Sequence, residues 1–91
     1  MNLRTMDEQS LLSELERLLQ DLAINVRYEV GDFQGGMYRY NETRQMVINK
    51  HLSPRKKIKI MAQEIKAQLD LDSHYVVPAL REVIENADRL E

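Results

Sequence analysis

The side chains able to do chemistry in this chain are few, and their spacing limits what they can do. Cysteine is absent, so no thiolate nucleophile or thiolate metal ligand exists. The histidines are His51 and His74, one before and one after a central helical stretch, and Asp70 and Asp72 lie near the second. A makeshift metal site there, or a weak metal-dependent hydrolase with a nonstandard site around His51, His74 and Glu64, is the sharper reading. Two solvated histidines in polar connectors is the plainer reading and the favoured one. Asp70 and Asp72 serve acid–base work only if they are buried with raised pKa values; in a connector they read as capping groups. Gly31, Gly35 and Gly36 bracket Asp32, Phe33 and Gln34. A strand, not a helix N-terminus, follows them, so this is a loop with an aromatic plug and not a phosphate cradle.

The run Arg55-Lys56-Lys57-Ile58-Lys59 gathers four cations at a helix start. Cations there oppose the helix dipole at a cost of roughly a few tenths of a kcal/mol each, which calls for a compensating partner. Phosphate backbone is one partner, and acidic terminal helices, in the same chain or across a homodimer, are the other. The charge distribution favours the second. Residues 1–36 carry three basic and seven acidic groups, residues 37–66 eight and two, and residues 67–91 two and six, so a basic block lies between two acidic ones.

The elements that must position these groups follow from periodicity. Leu11, Leu12, Leu15, Leu18, Leu19 and Leu22 lay one apolar stripe on a helix over residues 7–22. Thr5 and Glu8 have capping-box spacing, and Asp7 and Glu8 suit the dipole of a first turn. Val26, Tyr28 and Val30 then alternate with polar residues as a half-covered strand. Met37-Tyr38-Arg39-Tyr40 is a second strand, Asn41-Glu42-Thr43-Arg44 a turn and residues 45–49 a third strand, which predicts a three-stranded antiparallel meander. The tyrosines Tyr28, Tyr38 and Tyr40 read as sheet packing with a wet hydroxyl, ahead of a base-stacking platform. Ser53 as N-cap and Pro54 at the first helical position start a helix whose core arc is Ile58, Met61, Ala62, Ile65 and Leu69. Ile60, Gln63 and Ala67 project roughly opposite that arc, so either the last helix or a partner covers them. Val76, Val77, Leu80, Val83, Ile84, Ala87 and Leu90 give a final amphipathic helix with Pro78 in its first turn.

The expected architecture is α+β, one domain over residues 1–91, since 91 residues close one small core. Charged residues make up 31% and apolar ones 43% of the chain, which disfavours disorder. No apolar run approaches the roughly 18 residues of a membrane span, and the first residues lack a signal-peptide core, so the expected location is the cytoplasm.

Val26-Arg27-Tyr28-Glu29, the Gly35-Gly36 pair opening a strand, Met46-Val47-Ile48-Asn49, Leu52-Ser53-Pro54-Arg55 and Met61-Ala62-Gln63-Glu64-Ile65 occur in an order that resembles the ImmA/IrrE zinc metallopeptidase family. The resemblance spans about residues 11–69 and implies a zincin-like core. In that family the run ends in His-Glu-x-x-His. The resemblance puts Gln63 at the first zinc histidine, Glu64 at the general base and Ala67 at the second histidine. Only the carboxylate remains, and the third, acidic ligand has no counterpart. The resemblance therefore implies a truncated pseudoenzyme with neither metal nor cofactor, whose cleft binds protein or peptide. The expected binding surface is Ile60, Gln63 and Ala67 with Met46 and Ile48, on the premise that the strand over residues 45–49 lies at a sheet edge and accepts an added strand. A small nucleic-acid-binding protein using Arg55, Lys56, Lys57 and Lys59 is the alternative.

Overall fold

The computed structural model describes residues 7–89. Helix α1 spans Glu8–Asp21, followed by strands β1 (Asn25–Glu29), β2 (Gly35–Tyr40) and β3 (Thr43–Asn49), then helices α2 (Pro54–Gln68) and α3 (Pro78–Glu85), with short 3-10 turns at Leu71–Ser73 and Ala87–Arg89. The α+β class expected from periodicity is the class observed.

Local chemistry sets the helix ends. Asp7 caps α1 by accepting the Ser10 amide at 2.7 Å, while Thr5 lies outside the described residues. The helix closes in a Schellman motif: the Ile24 amide reaches the Leu19 carbonyl at 2.8 Å and the Ala23 amide reaches Gln20 at 3.0 Å, with Ala23 left-handed at φ 62°. Ser53 caps α2 through the Lys56 amide at 3.3 Å, and Pro54 occupies the first turn where its missing N–H costs nothing. Pro78 starts α3, which ends at Glu85 short of the expected length; Leu90 lies outside the described residues.

The sheet departs from the expected meander. Strand order is β1-β3-β2, with β1 parallel and β2 antiparallel to β3. A period of two fixes which face each residue takes and says nothing about which strand lies in the middle. The decision is made by the connections. The Asn41-Glu42 turn, with φ of 51° and 67°, is a two-residue hairpin whose positive angles match the sheet twist, and it joins β2 to β3. Residues 30–34 then carry the chain across the end of β3. Two strand spacings are about 10 Å, within reach of five residues. Asn49 holds this crossing in place, its side-chain amide donating to the carbonyls of Gly31 at 2.9 Å and Phe33 at 2.6 Å.

β3 is therefore the central strand, and the expected free edge over residues 45–49 does not exist. Met46 and Ile48 are fully buried and pair laterally with Val26 and Tyr28 of β1 and with Met37 and Gly35 of β2. They are core, not binding surface. The helices cover this one face: Leu12, Leu15, Leu18 and Leu19 of α1, Ile58, Met61, Ala62 and Ile65 of α2, and Leu80 and Ile84 of α3 join them in a continuous core. Tyr38 and Tyr40 point to the other face and are exposed, correcting their assignment to sheet packing; Tyr28 keeps to it, its ring against the core and its hydroxyl donating to Glu16.

If β3 is central, Met46→Ala lowers unfolding free energy in urea by about 2–5 kcal/mol, the range for a truncated core side chain. A surface position would shift it by no more than about 0.5 kcal/mol.

Candidate functional site

In an antiparallel pair the backbone groups of alternate residues point toward and away from the neighbour. The Asn49 amide donates to the Gln34 carbonyl at 2.9 Å, so Gln34, Gly36, Tyr38 and Tyr40 bond to β3 while Gly35, Met37 and Arg39 direct their amides and carbonyls outward from the edge. One of these outward amides is occupied by a side chain. The Met37 N–H donates to Glu64 Oε1 of α2 at 2.7 Å, and the other oxygen of Glu64 accepts from Gln68 at 3.4 Å. The carboxylate sits where the carbonyl of a further strand would sit.

Gly36 is what lets the Glu64 side chain of α2 come so close, while Gly35 admits the backbone of β3. A Cβ on Gly36 would stand 3.0 Å from Glu64 Oε1 and 3.2 Å from the Tyr38 hydroxyl. A side chain on Gly35, at φ 150°, would meet the Val47 carbonyl at 2.6 Å. A glycine inside a strand marks close approach of another group, and that was the sequence signal available for this edge.

Beside the edge, Gln34, Lys56, Lys59, Ile60 and Gln63 line a cleft of about 350 Å³. The four α2 residues recur at steps of three, four and seven and form one stripe of the helix. Ile60 and Gln63 of the expected surface are thus brought together here. Ala67 is exposed one turn further along, and neither α3 nor any other helix contributes to the lining. The sequence reading missed Gln34 and the outward groups of β2, because it assigned the edge to the wrong strand.

The basic run is divided by the fold. Arg55 pairs with Glu8 of α1 at 3.1 Å, and the Lys57 ammonium lies 5.1 Å from the centre of the Tyr28 ring. Lys66, further along, meets Asp88 at 3.1 Å. Lys56 and Lys59 have no ionic partner among the described residues, and both line the cleft.

The groups weighed for acid–base or metal work do not assemble. His51 and His74 are exposed, and among the described residues no three histidine, aspartate or glutamate side chains come together. Asp70 caps the 3-10 turn, and its carboxyl is held below the usual range by the Ser73 hydroxyl and then by the Asp72 amide. That is the opposite of the raised pKa that acid catalysis requires. Asp72 pairs with Arg81 at 2.6 Å. The catalytic zinc of active members of the resembled family would not fit either: Gln63 and Ala67 offer no imidazole, and Glu64 is engaged by the Met37 amide. No described helix is long and apolar enough to cross a membrane.

Glu64→Ala is expected to speed hydrogen exchange of the Met37 amide about tenfold, the equivalent of ~1.4 kcal/mol, which suits one charge-assisted bond at a part-buried site. Glu64→Gln, which keeps an acceptor, falls between. Unchanged exchange in both would mean that Glu64 does not guard the edge. No family model, curated protein or solved structure matches the chain.

Proposed function

We propose that the chain is a non-catalytic binding module, a metallopeptidase-like fold without metal ligands, which takes an extended protein or peptide segment as an added strand along the outer edge of β2. The observation that carries this reading is the Met37 amide held by the Glu64 carboxylate beside an otherwise unpaired edge. Strand addition needs only backbone donors and acceptors on one side and a flanking groove for alternate side chains. Gly35, Met37 and Arg39 supply the first, and the α2 stripe supplies the second. Among the described residues the other sheet edge, β1, has no such carboxylate guard, and its Arg27 and Glu29 pair with each other at 2.5 Å. Charged side chains of that kind blunt an edge against pairing. The nucleic-acid alternative is weakened by the fate of the basic run, two of whose four cations are engaged within the chain.

Titrating the ¹⁵N-labelled protein with an extended peptide of alternating threonine and valine should shift the amides of Gly35, Met37 and Arg39 together. Arg39→Pro, which removes an outward N–H without touching the β3 ladder, should weaken binding at least about tenfold. Shifts confined to β1, or none at all, would sink the reading. The metallopeptidase likeness has its own test: the native protein should take up no stoichiometric zinc by metal analysis, whereas Gln63→His with Ala67→His restores two imidazoles one turn apart. Specific uptake by the native chain would overturn the pseudoenzyme reading.

A further inference from the structure

We infer that the segment accepted along β2 is acidic, with carboxylates at alternate positions, and this inference rests on the strand-addition reading. The cleft wall presented by α2 carries two cations, Lys56 and Lys59, and no acid among its lining residues Gln34, Lys56, Lys59, Ile60 and Gln63. Neither lysine is engaged within the described chain, although Arg55, Lys57 and Lys66 around them all are.

The spacing suits a strand. Lys56 and Lys59 are separated by about 4.5 Å along the helix axis, while side chains on one face of a strand repeat at about 6.8 Å. A lysine arm is long enough to absorb the difference, so carboxylates two residues apart on the added strand each meet one ammonium. A third position on the same face lies over Ile60 and Gln63, where an apolar or amide side chain fits. The recognised pattern is acid, any residue, acid, with an apolar residue two positions beyond either acid.

Glu64 completes the account. It stands on the Met37 amide as an internal anionic acceptor, 2.7 Å away. An entering strand displaces it with its own carbonyl and brings further carboxylates to the lysines. Removing the Glu64 side chain therefore frees the edge amide and also takes away a negative charge near an acidic ligand. Glu64→Gln removes the charge and keeps the acceptor, which separates the two effects.

The test uses fluorescein-labelled peptides in which threonines alternate with glutamate, glutamate and valine on the other face, compared with the same peptides carrying glutamine for both glutamates, by anisotropy at low and at physiological salt. The glutamate peptide should bind at least about tenfold more tightly than the glutamine one, and this preference should vanish in a Lys56→Gln, Lys59→Gln variant. Glu64→Ala should bind the glutamate peptide more tightly than Glu64→Gln does. Equal binding of both peptides overturns the acidic preference and leaves strand addition standing. Binding of neither, to the native chain or to Glu64→Ala, removes both. Tighter binding of a random single-stranded oligonucleotide that falls steeply with salt would reassign the lysines to phosphate. A native dimer that the double lysine variant dissociates would reassign them to a second copy.

Discussion

The structure depends on β3 lying between two strands that precede it in the chain. This requires the segment after β1 to pass across the end of a strand not yet reached in sequence and to stay there. Asn49 performs that task with a single side chain, bonding Gly31 and Phe33 through its amide nitrogen and the His51 amide at 2.9 Å through its oxygen. The Lys50 amide adds a bond to the Glu29 carbonyl at 2.9 Å. With the crossing secured, Met46 and Ile48 sit at the centre of the helix-covered face, each with neighbours on both sides. Burying such side chains is worth about 1.5–3 kcal/mol apiece.

The same arrangement puts β2 at the edge beside α2. An unpaired strand edge invites pairing with other chains, and proteins commonly manage this with charges or by covering the edge. Here the cover is a single carboxylate from the adjoining helix, admitted by Gly36. The Tyr38 ring lies over the same glycine from the uncovered face, so that Gly36 is buried although no second layer packs above it. One acceptor on one of three outward residues is a light guard.

Electrostatics sorts the cations of α2 by direction. Those facing α1 and β1 are engaged by Glu8 and by the Tyr28 ring, and that facing the C-terminal turn by Asp88. Pairs this exposed contribute only about 0.2–1 kcal/mol each, so they do not hold the helix in place; the apolar arc through Ile58, Met61, Ala62 and Ile65 does. What the pairs accomplish is a division of the basic block, leaving Lys56 and Lys59 without an ionic partner among the described residues on the stripe that lines the cleft with Gln34.

The order of helices and strands, the caps at Ser53 and Pro54 and the core arc of α2 were legible in the sequence, because each depends on spacing within a few residues. So was the absence of imidazoles at positions 63 and 67. The order of strands was not legible, since the alternation of Val26 and Tyr28 or of Met46 and Ile48 is the same for a central strand as for an edge. Only the tertiary structure decided which strand lies at the edge beside α2, that Glu64 reaches one of its amides across 27 residues of chain, and which cations of the basic run find a partner among the described residues. Those facts arise from contacts between elements distant in sequence, for which local period and propensity carry no signal.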